Sequence, residues 1–183
     1  LAGGRPALRV AFPLAATVWA YDLWLKSGPA GPVAMAAART LDVLLGAGGA
    51  RPAVPAALTV GAHTLGVTVL SRGEVHGADA RVPRAALAGT AAITGAVLAG
   101  GRRSRLATAG LAALYAGSVG SAQSAAARDP SSGAVRRAVG AGILGFMPLQ
   151  AALLARAGSL RAALPVALAF PMARRLSRKV SAT

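Results

Sequence analysis

The chain has 183 residues, of which 55% are hydrophobic and only 14% charged, against about 25% charged in a typical soluble domain. Twenty basic and five acidic residues give a formal charge of +15, and there is no cysteine, which excludes disulfides, thiolate metal sites and cysteine nucleophiles. The basic residues punctuate apolar runs and are not interleaved with aromatics, so the composition describes a polytopic membrane protein and argues against nucleic-acid binding.

A spanning helix requires about 20 mainly apolar residues. Arg5 and Arg9 precede the first apolar run, and no small-residue cleavage site follows a short apolar stretch, so no secretory signal is expected. The run over 10–25 is apolar except for Asp22 near its end, with Pro13 expected to kink it. The next, 33–48, is interrupted only by Arg39 and Asp42. Runs over 52–71, 85–101, 106–127 and 138–155 follow. The stretch 162–173 contains Pro165 and Pro171 and is too short to span comfortably. It is read as a half-helix, a surface segment or a kinked seventh span. The basic turn at 100–105, the 128–133 turn and the 72–84 polar connection separate these runs. The expected fold is therefore all-α: a membrane helical bundle of about six spanning helices plus a short C-terminal helix. Residues 1–183 form one transmembrane domain, read as the C-terminal part of a longer chain because it begins at leucine. Ala113, Gly117 and Ser121, at four-residue spacing, are expected to form a close-packing face.

Placing Lys26 in the cytoplasm assigns each loop a side. Eleven Lys or Arg then face the cytoplasm and eight the opposite side, which agrees with the positive-inside tendency. Lys26 and the 72–84 connection come to the same membrane face.

The informative stretch is 21–46. Asp22 and Lys26 are four apart and share a helical face; Arg39 and Asp42, three apart, share one on the next segment. The Ser-Gly-Pro-Ala-Gly-Pro run at 27–32 breaks the helix between them. Ionisable residues inside a membrane segment are functional candidates, because hydrocarbon makes them costly to keep. The structural alternative is a surface ion pair for Asp22 and Lys26 and a buried one for Arg39 and Asp42.

The five carboxylates are Asp22, Asp42, Glu74, Asp79 and Asp129. Asp129 reads as a turn or cap residue. Asp22, Glu74 and Asp79 are expected at one membrane face with Lys26, Arg72 and His76. Carboxylates and cations together suit a diphosphate with magnesium: hard cations take carboxylate oxygens, and Lys or Arg stabilise the charge on a leaving phosphate. His63 reads as a packed residue of the third run. No hydrolase, zincin or Walker motif is present.

The run Tyr21-Asp22-Leu23-Trp24-Leu25-Lys26, followed by Gly-Pro, Met35, Arg39 and a Leu-Leu-Gly helix end, resembles the middle of UbiA-type intramembrane prenyltransferases. Together with the His63-to-Thr68 segment and Ser71-Arg72-Gly73-Glu74, it looks closest to the EboC-like branch found in bacterial gene clusters. The match covers about 21–77. The resemblance implies a helical bundle in the bacterial plasma membrane whose cavity opens to the cytoplasm and sideways to lipid. Such an enzyme transfers a prenyl group from a magnesium-bound prenyl diphosphate to an aromatic or other lipid-soluble acceptor. By position, Tyr21 and Asp22 would be catalytic, Tyr21 lining the pocket near the cation; Lys26, Arg39 and Arg72 would bind the diphosphate; and Glu74 and Asp79 would hold Mg2+. The family's first acidic motif, Asn-Asp-x-x-Asp, lies upstream of the Tyr21 position and is not in this sequence, and the second is reduced to Glu74 with Asp79. The rival readings are a membrane transporter, which the 100–105 turn loosely resembles, and a non-catalytic membrane component of a biosynthetic cluster.

Overall fold

The computed structural model describes residues 4–100 and 104–180, together with the backbone alone at Arg5 and 178–180. Among the described residues it is helical without strands: α1 (Gly4–Ala20), α2 (Gly31–Gly46), α3 (Val54–Ser71), α4 (Arg81–Ala99), α5 (Arg105–Arg128), α6 (Ser132–Arg156) and α7 (Leu160–Val180). A π-helical turn, Tyr21–Leu25, extends α1, and a 3-10 turn, Arg51–Ala53, leads into α3. Among the described residues, three helical stretches are long and apolar enough to cross a membrane: Arg51–Ser71, Arg81–Ala99 and Ser132–Arg156. The chain divides into two compact units, 1–69 and 70–183.

In the first unit α1 and α2 pack side by side. Pro13 sits inside α1, and Thr17 donates its hydroxyl to the Pro13 carbonyl at 2.7 Å. The expected break at 27–32 is a short turn over 26–30, with Pro32 in the first turn of α2, where its missing N–H costs nothing. A Cβ on Gly31 would come within 2.9 Å of the Leu25 and Lys26 carbonyl oxygens, so only glycine lets the reversal be this tight. On α3, Ala57, Val60, Thr64 and Val67 are buried at helical spacing, and His63 is buried as expected. A side chain at Gly61 would strike Thr40, so α3 approaches α2 closely at that level.

The second unit is built on α5 and α6, with α4 packed on α5 and α7 on α6. Ile93, Val97, Ala112, Tyr115, Val119, Leu149 and Ala152 form its core. Thr90 on α4 donates its hydroxyl to the Gln123 side-chain oxygen on α5 at 2.8 Å, and the Tyr115 side chain hydrogen-bonds Thr90. Three polar groups are thus satisfied inside the bundle, as an apolar environment requires.

Two expectations are revised. Ala113, Gly117 and Ser121 lie on the exposed face of α5. The small residues that admit a neighbour belong to α6: a Cβ on Gly145 would collide with Val119. Helix pairing here matches bulk on α5 with room on α6. The 162–173 run, in turn, lies within a continuous 21-residue helix that includes both prolines and the basic stretch beyond them. Ala163 and Phe170 are its buried side, whereas Leu164, Leu168, Met172 and Leu176 form an exposed apolar stripe at four-residue spacing.

Candidate functional site

Three of the four charges singled out in 21–46, Asp22, Arg39 and Asp42, line one groove in the first unit. Leu14, Val18, Tyr21 and Asp22 line it from the α1 side, and Met35, Ala38, Arg39 and Asp42 from α2. Its volume is about 340 Å³, within the range of small-ligand sites. Its lining mixes apolar side chains with two carboxylates and a guanidinium.

Local structure explains this grouping. The Lys26 N–H reaches back five residues to the Tyr21 carbonyl at 2.9 Å, closing the π-helical turn. Such single π turns inside or at the end of α-helices occur often at functional sites, because they redirect side chains relative to regular helical spacing. Asp22 lines the groove, while Lys26 sits in the exposed turn outside its lining. Asp22 and Lys26 form no ion pair, whereas Arg39 pairs with Asp42 at 3.3 Å. That pair is not buried, as the structural alternative supposed, but half-exposed.

Asp22 and Asp42 place two carboxylates in the groove against one guanidinium, Arg39. The groove is therefore not a basic cradle. It suits a group that carries or develops positive charge, or one that gives up a proton to a carboxylate. The Tyr21 ring, half-buried, adds an aromatic lining. Leu14, Val18 and Ala38 carried no signal in the sequence beyond their apolar character; only their register opposite Tyr21 and Arg39 identifies them.

Arg72, Glu74, His76 and Asp79 belong to the second unit, on the 72–80 connection. Arg72, His76 and Asp79 are exposed and Glu74 half-buried. The connection is well tied. Gly77 donates its N–H to Gly73 at 3.0 Å, Ala78 to the Pro130 carbonyl at 3.0 Å, and the Arg136 guanidinium to the Glu74 carbonyl at 2.8 Å. Gly77 has φ of +84° and stands where a Cβ would lie 2.8 Å from the Pro130 oxygen, so the sharp bend there depends on glycine. Asp79 accepts the Arg81 N–H at 2.7 Å and so caps the start of α4 with one carboxylate oxygen. Asp129 does the same in its turn, accepting from the Ser131 N–H and hydroxyl at 3.2 and 3.0 Å, as its sequence position suggested.

Among the described residues no group of three or more His, Cys, Asp and Glu is assembled for a metal ion. Magnesium bound with a diphosphate, however, commonly takes only one or two protein carboxylates, the rest of its shell being phosphate oxygen and water. Glu74 and Asp79 are the two carboxylates of the 72–80 connection. No protein-family model, curated protein or solved structure matches this chain.

Proposed function

We propose that this protein is a UbiA-like intramembrane prenyltransferase, joining the prenyl group of a prenyl diphosphate to an aromatic or other lipid-soluble acceptor. The observation that carries this reading is the groove itself: the motif-bearing residues Tyr21, Asp22 and Arg39, drawn from two helices, line one partly apolar cavity with Asp42. The resemblance of 21–77 to the family supplies the chemistry.

In this reading the six apolar runs over 10–155 cross a bacterial plasma membrane, with the Lys26 turn at the cytoplasmic side. Trp19 and Trp24 are 68% and 74% exposed beside that turn, in keeping with the aromatic belt at a membrane surface. Arg39 in this groove binds diphosphate oxygen as a charged donor, the role that the resemblance also gives to Lys26 and Arg72. Glu74 and Asp79 would hold magnesium, and the chemistry it supplies is neutralisation of the charge on the leaving diphosphate. The Tyr21 ring faces the allylic cation, which aromatic faces attract. Asp22 accepts the proton released when the acceptor forms its new bond to the prenyl carbon. The apolar lining of Leu14, Val18 and Met35 shields the cation from water.

The test is direct. Full-length protein in nanodiscs, given magnesium, radiolabelled prenyl diphosphates and an acceptor panel, should release diphosphate and form a prenylated product. Absence of release with every chain length and every acceptor overturns the proposal and leaves the transporter or non-catalytic reading in its place.

A further inference from the structure

A second cavity lies wholly within the second unit, between α5, α6 and α7, with a volume of about 850 Å³. Its lining has three arginines, Arg136 and Arg137 near the start of α6 and Arg174 on α7, and no carboxylate. The arginines share one end. Arg136 and Arg137 immediately precede the apolar 138–155 run, and Arg174 immediately follows 162–173. Beyond them the lining turns apolar, with Ile143 and Leu144 on α6 and Phe170 on α7. The groove is thus graded along its length, basic at the level where the apolar helices end and greasy where they continue.

Two of the arginines are anchored, and none is neutralised. Arg136 is anchored through its bond to the Glu74 carbonyl, and the Arg174 guanidinium lies 5.6 Å from the centre of the Phe170 ring. None of the three pairs with a carboxylate among the described residues. A guanidinium presents five N–H donors in a fork that matches phosphate oxygens. Basic pockets between membrane helices are suited to anionic lipid head groups.

We propose that this groove binds an anionic phospholipid of the surrounding bilayer, its phosphate held by Arg136, Arg137 and Arg174 and one acyl chain laid along Ile143, Leu144 and Phe170. Charge complementarity selects the head, and α6, which is long and apolar enough to cross a membrane, places the tail at bilayer depth. The proposal concerns a different unit from the Tyr21–Asp42 groove and does not depend on prenyl transfer.

The experiment is native mass spectrometry of the full-length protein released from nanodiscs of equal parts phosphatidylglycerol and phosphatidylcholine. The wild type should retain phosphatidylglycerol selectively. Arg137→Gln and Arg174→Gln should each lower that preference about fivefold, the effect expected for one basic residue at an anionic surface. The Lys variants at the same positions should keep most of it, and Arg161→Gln, on the exposed surface at the other end of α7, should leave it unchanged. In a second measurement that needs no variant, phosphatidylglycerol with a photoreactive acyl chain should label Ile143, Leu144 or Phe170 in the wild type. Unchanged preference in the folded Gln variants, an equal loss in Arg161→Gln, or labelling confined to other helices would each overturn the proposal. So would displacement of the lipid by a soluble prenyl diphosphate that binds more tightly, which would make that diphosphate the occupant.

Discussion

Arg39 Nη1 lies 3.3 Å from Asp42 Oδ2, less than one turn along α2, and each side chain is 56% exposed. In water such a pair contributes about 0–1 kcal/mol, too little to explain two charges in an otherwise apolar segment. At a groove it sets where the guanidinium points. Arg39→Ala should lower kcat/KM for the prenyl diphosphate about a hundredfold, as removal of a charge-stabilising donor does. The exchange Arg39→Asp with Asp42→Arg restores the pair but not the donor's position. It should recover thermal stability and leave transfer impaired, measured by melting and by product formation. Recovery of both would make the pair purely structural.

Asp22 lines the same groove without an ion-pair partner among the described residues. Asp22→Asn keeps its size and removes its basicity. Transfer should fall at least about a hundredfold with little change in melting temperature, the signature of a lost general base. A large loss of stability with unaltered specific activity would assign Asp22 to the fold instead.

Asp79 has two candidate duties that substitutions separate. Asp79→Ala removes the acceptor for the Arg81 N–H and should cost about 1 kcal/mol, the usual value of a helix cap. Asp79→Asn keeps that acceptor and should keep the stability. If Asp79 also holds magnesium, the Asn variant should require more magnesium for half-maximal diphosphate release. A magnesium titration of wild type and Asn variant reads this without ambiguity from folding.

Gly145 and Val119 mark the tightest fit of α6 on α5. Gly145→Val should destabilise the second unit by about 1–3 kcal/mol through overpacking, read as a lower melting temperature in detergent. Gly117→Val, where the space beside the backbone is open, should be nearly neutral.

Thr90 and Gln123 offer a double-mutant cycle. Thr90→Val takes a partner from both Gln123 and Tyr115, whereas Gln123→Leu leaves Thr90 bonded to Tyr115. Their coupling should be about 0.6 kcal/mol and below about 1.7, the range for hydrogen bonds between membrane helices.

Much of the architecture was legible because it follows from length and local chemistry. The apolar runs named the helices, and Gly31-Pro32 and Asp129-Pro130 named turns that the structure contains. Partners across helices were not legible. An alanine-rich sequence shows small residues on every face, so the Ala113–Ser121 face looked as suitable as the α6 face that meets Val119. The short final run was underestimated because α7 continues into charged residues that hydropathy discounts. Arg136, Arg137 and Arg174, finally, counted in the sequence only as loop charges; their common cavity appears once α6 and α7 are folded together.

The bonds from Ala78 to Pro130 and from Arg136 to Glu74 have a kinetic consequence. Segments pinned at two places by neighbours far along the chain do not hinge, so the stretch carrying Arg72 and Glu74 is a fixed sill and no swinging door. Any guest that came to Glu74 would have to be met by side chains alone, the backbone there being tied.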